Sequence, residues 1–569
     1  MASLQRVRAG GRSYWRIVES CRVNGKPRPI PILHLGTADT LLDRLLRGPG
    51  GPLRVRSYQH GDVAALKAAA DRLDVVGIID RHVPARTRHL SVGTTLLLSA
   101  LNRAVRPRSK RGWAGWAQGT SLARLFPGLV PEQLTSQYFW DQMHCVPLKA
   151  LEAIEDELTR KVMAELNIEL DLVFYDTTNF FTFIASTNKR PKLPQRGKSK
   201  QHRADLRLFS LALLVSRAEQ IPLCSHVYEG NTVDGTVFPV TLTKMRERLE
   251  RLSLSLKDVT IVYDKGNNNS QRNQALVDGA PFSYVASLIP AHFPDLMGIP
   301  VSKYHPIEEG RLSGTLALRL TRKIWDAERT VVLFVSEELR AAQIRGLYQH
   351  LLKRLRALRQ WRQQLRKPRS GPRSPEAVEK RIAAFLKGQH LRKILRIEFD
   401  GTKTGPDRLR FRVDAKARAK LEREVFGKRI LITDRDAWSD AEVILAYHGQ
   451  SHVEDAFRQL KDDEHLAVRP QRHWTDQKIH VHAFICLLAL VLARTVEHTA
   501  RGAGWQGGLS GLLDELAKIR LAMILGPTSE RGGRPRCGWQ IEETEPERLE
   551  LFTHLVPNQS PFVYTGPRA

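Results

Sequence analysis

Three acidic residues stand where they could do chemistry. Asp176 follows an apolar run in LVFYDTTNF, and Asp264 follows another in TIVYDKGNN. Both come directly after a tyrosine. An acid at the C-terminal end of a buried strand lies where α/β sheets build their sites. Taken singly, each Asp reads as readily as a turn starter or a helix cap. The third acid is Glu454, in AYHGQSHVEDAFRQLKDD (446–463). At ~100° per residue, Tyr447, Gln450, Glu454 and Lys461 fall within roughly 60° of helical arc. Ala446, Val453, Phe457 and Leu460 form the adjoining apolar stripe. Glu454 therefore lies beside the core-facing strip, and Asp455 points away. Periodicity alone leaves this equally an amphipathic helix with boundary charges. Three carboxylates from separate elements are nevertheless what two-ion phosphoryl transfer needs. Hard divalent ions take carboxylate oxygens, and two ions about 3.5–4 Å apart clamp the attacking and leaving oxygens. No nucleophilic side chain is then required.

The elements that must hold these acids are legible in the hydrophobic pattern. Residues 170–176, 206–216, 220–230, 259–264 and 282–289 read as strands, and a helix runs from Ser270 to about Val277. Three neighbouring strands followed by a helix between two more predict an α/β core, a mixed sheet flanked by helices. Helices 446–463 and 480–496 complete it. Residues 291–435 interrupt the core as an α+β insertion. Its long basic helix carries an apolar seam through Ile344, Leu347, Leu351, Leu355, Leu358 and Leu365. KPRSGPRSP (367–375) breaks that helix before a second one packs back. Residues 1–56 read as a hairpin region around Asn24-Gly25 with a GPGGP linker (48–52). A basic helical lobe over 57–167 follows, with Asp62 and Ser91 as expected N-caps. Residues 501–569 form a C-terminal tail region.

Composition narrows the partners. The net charge is +29 over 569 residues, with a pI near 10.2. Such a field favours a polyanion, and nucleic acid is the usual one. The basic loop TNKRPKLPQRGKSKQHR (187–203) offers Lys198, Lys200 and Arg203 as phosphate contacts. Five scattered cysteines without a C-x-x-C pair exclude a disulfide framework and a zinc ribbon. RGKS lacks the earlier glycine of a P-loop, since position 192 is Lys. The histidines of HVHAF (480–484) diverge on a helix. Trp325 reads as a core residue ahead of a base-stacking one. AFICLLALVLA (483–493) reads as a buried helix and not a membrane span. The expected compartment is a reducing, cytoplasmic one.

Tyr447-x2-Gln450-x3-Glu454-x6-Lys461 has the spacing of a Y-x2-R-x3-E-x6-K signature. On that stretch the chain resembles the DDE transposases of bacterial insertion sequences, with Gln where the family usually has Arg. Four further pieces match in order. YDTTNFF (175–181) resembles the family's first-Asp strand, and GKSKQHRADL (197–206) its G-x-S-K-x-x-R-x-D-L segment. EGNTVDGTVF (229–238) resembles its G-N-x-x-D motif, and VYDKGN (262–267) its second-Asp motif. The resemblance runs from about residue 170 to 495. The N-terminal hairpin and GWQIEETEPERLELF (538–552) share its look.

The resemblance implies an RNase H-like core over 168–290 and 436–500. Asp176, Asp264 and Glu454 would be its catalytic acids and the ligands of two Mg2+ ions, with Mn2+ as a substitute. Tyr447, Gln450 and Lys461 map onto positions that contact element-end DNA. Gln450 keeps a hydrogen bond there but not a charged bidentate fork. The implied activity is cut-and-paste transposition of double-stranded DNA by a homodimer in a synaptic complex, in a bacterial, nucleoid-associated setting. A transposase-derived DNA-binding protein without catalysis, and a metal-dependent nuclease without strand transfer, are the alternatives.

Overall fold

Residues 207–216, RLFSLALLVS, are apolar almost without a break because the strand they form is covered on both faces. It belongs to the sheet around which the chain folds. The computed structural model describes residues 2–23, 26–47, 54–84, 90–198, 203, 205–252, 255–267, 270–308, 310–367, 374–525, 537–557 and 562–565. Among these, nine strands make one mixed sheet. In chain order they are β1 (Leu172–Thr182), β2 (Arg207–Ser216), β3 (Pro222–Glu229), β4 (Thr260–Tyr263) and β5 (Ser283–Ser287). β6 (His305–Pro306), β7 (Leu316–Ile324), β8 (Ala327–Val335) and β9 (Lys428–Thr433) follow. The spatial order is β6-β7-β8-β9-β5-β4-β1-β2-β3. β1, β4 and β5 run parallel. β2 and β3 are antiparallel to their neighbours, and β9 pairs antiparallel with β5.

The five expected strands and the helix after Ser270 are all present. Ser270 caps that helix (Gln271–Asp278) by accepting from the Asn273 amide at 3.3 Å. One large element escaped the sequence reading, the helix α1 (Asp234–Arg251). It begins inside EGNTVDGTVF and contains Pro239, a residue that speaks against a helix interior. Its Phe238 is fully buried, with ring centroids 5.3 Å from Tyr175 and 4.9 Å from Tyr263. The opposite face of the sheet carries α2 (Asp440–His448) and α3 (Ser451–Gln459).

Domain boundaries differ from the sequence expectation. β6 to β9 lie inside the expected insertion, yet they extend the core sheet. Sheet edges are satisfied by pairing, and β9 supplies a full antiparallel partner to β5. Only part of the insertion has a core of its own, built on Leu347, Leu351, Leu358 and Trp361 of the helix Glu337–Gln364. The helix Pro375–Phe385 packs back on it as expected, with Trp361 and Phe385 stacked at 5.5 Å. Trp325 takes positive φ in the β7–β8 turn and packs on Phe293 at 6.0 Å.

The ends of the chain also pack differently. Residues 520–525 and 537–541 pair with one another, and residues 520–525 pair with Arg54–Gln59. The tail region thus closes onto the start of the helical lobe. The expected hairpin is present as Arg12–Val23 against Lys26–Gly36, joined by a third strand, Ala2–Ala9. Its Asn24-Gly25 turn, the GPGGP linker and most of KPRSGPRSP lie outside the described residues. The apolar run 483–493 belongs to a longer helix, α4 (Asp476–Gly502). An 18-residue window of it has mean hydropathy 2.0, and 89% of that window is buried inside the fold. It packs against the lobe helices Gly61–Arg72 and Val92–Val105 and against β3.

Ser91 is the N-cap expected, accepting from the Thr94 amide at 3.1 Å. Asp62 is not a cap. It is the second residue of the helix Gly61–Arg72, fully buried, accepting from the Gln59 side chain and, at 2.8 Å, from the Val63 amide. Burial pushes its carboxyl up to about 6 despite those donors. A carboxyl raised on folding contributes stability below its unfolded range, near pH 4, and loses it as pH rises through 6. Asp62→Asn is therefore expected to be more stable than wild type at pH 8 by about 1–3 kcal/mol. The advantage should vanish below pH 4, as read from melting temperatures across that range.

Candidate functional site

The parallel register sets the first two acids side by side. Tyr175 pairs with Tyr263, and Tyr263 with Ala286. The next residue along each strand makes a row: Asp176 from β1, Asp264 just past β4, and Ser287 from β5. Neighbouring residues on a strand point to opposite faces. Tyr175 and Tyr263 both meet Phe238 of α1, so the row faces the other way, toward α2 and α3. Asp176 is not at a strand end, as its sequence context suggested. β1 continues to Thr182 because β2 pairs with it along that whole length. Within β1, only Asp176 and Asn179 are not buried.

Glu454 comes to this face on α3. It is exposed and lines an open cleft of about 630 Å³ together with Asp176, Thr178, Arg458 and Lys461. Asp455 is half-buried and committed elsewhere, in ion pairs to Arg458 and to Arg494 of α4. The angular choice of Glu454 over Asp455 agrees with this placement. Ala446, Val453, Phe457 and Leu460 are buried, as the stripe predicted.

The helix itself is not continuous. It breaks between α2 and α3 at Gly449-Gln450, and Lys461 lies past the end of α3. A Cβ at Gly449 would overlap the ring of the fully buried Phe174. Glycine is what lets the two helices meet β1 this closely. Gln450 is buried, and its Nε2 donates to the Tyr175 carbonyl at 2.7 Å. That bond ties the start of α3 to the residue before Asp176. The structure corrects the expectation of a DNA contact at Gln450: the amide is spent inside the fold. Tyr447 is corrected likewise. It is buried, and its hydroxyl donates to Asp264 Oδ1 at 3.1 Å while accepting from Arg429 Nη1 at 2.9 Å. Burial and the neighbouring Asp264 push its phenol up to about 12.

Lys461 stays at the cleft. Its ammonium donates to the Thr178 hydroxyl and sits 5.6 Å from the centroid of the Phe180 ring. Of the basic loop, Lys198 is exposed, and its carbonyl accepts from Asn179 Nδ2 at 3.1 Å, which seats the loop against β1. Arg203 is exposed, forms a two-point pair with Asp205 at 2.8–2.9 Å, and lies over Phe181. Lys200 lies outside the described residues. Gly197 packs on Gly230 and Asn231 with no room for a Cβ, so the two glycine motifs around the first strands meet in space.

Two residues of the site were missed from sequence. Ser287 Oγ donates to Asp264 Oδ1 at 2.6 Å. Its signal was available, since in YVAS a polar residue closes an apolar run as in LVFYD and TIVYD. Arg429 had no such signal, because its role depends on β9 joining the core sheet.

The donor set fits hard divalent cations, being carboxylate oxygens from three elements. Among the described residues no three His, Cys, Asp or Glu side chains form one group that would hold a single ion. The arrangement is pairwise instead: Asp176 shares a row with Asp264 and a cleft with Glu454.

No protein-family model and no curated protein matches the chain. Among solved structures it is similar to a piggyBac transposase, seen by cryo-EM in a synaptic complex with hairpin DNA. The identity is 9% and the TM-score 0.38, over 80% of this chain and 78% of that one.

Gly449→Ala is expected to destabilise the fold by about 1–3 kcal/mol, the usual cost of overpacking a filled core. Trimming the ring with Phe174→Leu in the same chain should recover part of that loss. Thermal melts of wild type and the two variants read both effects.

Proposed function

We propose that this protein is a DDE-type DNA transposase of the insertion-sequence kind, with an RNase H-like core. It cuts DNA at the ends of a mobile element and joins the freed 3′-hydroxyl to target DNA. The observation that carries the reading is the row of Asp176 and Asp264 on parallel neighbours, facing the helix that brings Glu454 to the cleft Asp176 lines. The strand order β3-β2-β1-β4-β5, with β4 and β5 parallel to β1, supports the RNase H-like assignment.

Asp176, Asp264 and Glu454 would hold two Mg2+ ions, with Asp176 common to both pairs. Bound there, such ions supply Lewis-acid stabilisation to the attacking and leaving oxygens. The chain's own contribution is placement and charge. Gln450 keeps α3 in register with β1, so Glu454 stays opposite Asp176. Asp455 is held on Arg494 and does not compete for the cleft. Lys461 presents an ammonium beside the acids, where a phosphate of the DNA backbone would sit. The net charge of +29 draws the polyanion to the surface. The cleft is open, unlike the enclosed pockets that take small molecules.

The test uses DNA that carries the inverted repeats flanking the gene, with Mg2+ or Mn2+. Asp176→Asn, Asp264→Asn and Glu454→Gln are each expected to lower nicking and strand transfer by at least about 10³-fold, with DNA binding retained in gel shifts. Asp455→Asn should keep the chemistry and lose only stability. Full activity in Glu454→Gln would overturn the assignment. Free ends without joined product would instead mark a nuclease.

A further inference from the structure

Among the described residues, the hydrogen bonds to the Asp264 carboxylate both fall on one of its oxygens. Ser287 Oγ reaches Oδ1 at 2.6 Å and Tyr447 Oη reaches the same Oδ1 at 3.1 Å. A hydroxyl can either donate or accept, so the direction of each bond needs an argument. Here both hydroxyls already accept from a fixed N–H. The Lys265 backbone amide donates to Ser287 Oγ at 2.8 Å, and Arg429 Nη1 donates to Tyr447 Oη at 2.9 Å. Their own protons are thereby committed to Asp264. A carboxylate only accepts hydrogen bonds, so both hydroxyls donate to it. A carboxylate oxygen offers about two lone-pair sites. Two O–H donors fill them on Oδ1.

We propose that Ser287 and Tyr447 form a two-donor clamp that closes Oδ1 of Asp264 to a cation and leaves Oδ2 as its ligating atom. The inference rests on the reading of Asp264 as a metal ligand given above. Ser287, Tyr447 and Arg429 are positioning residues in this account. They come from β5, α2 and β9, so the clamp assembles only when the strand from the interrupting region has docked on the core sheet. Without the clamp the carboxylate can rotate and take an ion with either oxygen or both. Losing such an outer partner of a ligand typically costs 10–100-fold in metal affinity.

The experiment titrates Mn2+ alone against the full-length chain, following free Mn2+ by electron paramagnetic resonance. The metal-induced rise in melting temperature gives a second reading. Ser287→Ala and Tyr447→Phe are each expected to weaken Mn2+ binding about 10–100-fold, with metal-free melting temperatures close to wild type. Ser287→Thr restores the hydroxyl and should return the affinity to within about threefold of wild type, which a loss of packing alone would not do. Asp264→Asn separates the two levels of the argument. If it abolishes Mn2+ binding while Ser287→Ala and Tyr447→Phe leave it unchanged, the metal site stands and the clamp is wrong. If Asp264→Asn has no effect, or wild type takes up no Mn2+, the metal reading of Asp264 fails and the clamp falls with it.

Discussion

The structure depends on one register. Pairing Tyr175 with Tyr263 in parallel places the following aspartates level and on the same face. Parallel neighbours lie about 4.8 Å apart. A fold does not adopt that arrangement for packing. It must hold the strands from below and supply donors from above. Phe238 does the first, wedged against both tyrosines. Ser287 and Tyr447 do the second at Asp264, with Arg429 behind them.

The third acid depends on how closely a helix can approach that face. α2 and α3 lie over the sheet because Gly449 presents no side chain to Phe174. Gln450 then uses its amide on the backbone of β1. An Arg at that position would have to bury a charge or leave the interior. Glutamine instead places a neutral group there that makes a buried bond. Its Oε1 has no hydrogen-bond partner among the described residues. The pair Asp455–Arg494 fixes the same helix from its other side, anchoring it to α4. That anchor explains why a residue adjacent to Glu454 can carry the same charge without sharing its place.

α4 links these parts. It is apolar along most of its length and almost wholly buried, because it serves as core for the helical lobe and for the edge of the sheet together. Hydrophobic burial on all sides of one long helix makes the lobe and the sheet a single packing problem. A displacement of the lobe is therefore felt at Arg494 and so at α3.

Much of this was legible in the amino-acid order. Local pattern determined the five core strands, the apolar stripe of the 446–463 segment, the Ser91 cap, the helix after Ser270 and the preference for Glu454 over Asp455. All of these rest on periodicity or on side chains acting within a few residues. Spacing also singled out Asp176 and Asp264, although it set Asp176 at a strand end that the pairing with β2 carries six residues further. What only the tertiary structure decided involves partners far apart in sequence. Tyr447 and Gln450 look like surface positions of an amphipathic helix, and they became interior because a glycine let that helix sink onto β1. Arg429 acquires a role only once β9 pairs with β5, and no local signal encodes such a pairing. The helix Asp234–Arg251 formed against its proline because Phe238 had two tyrosines to cover. In each case the deciding quantity is the burial of a group against a distant segment, and a linear pattern does not contain it.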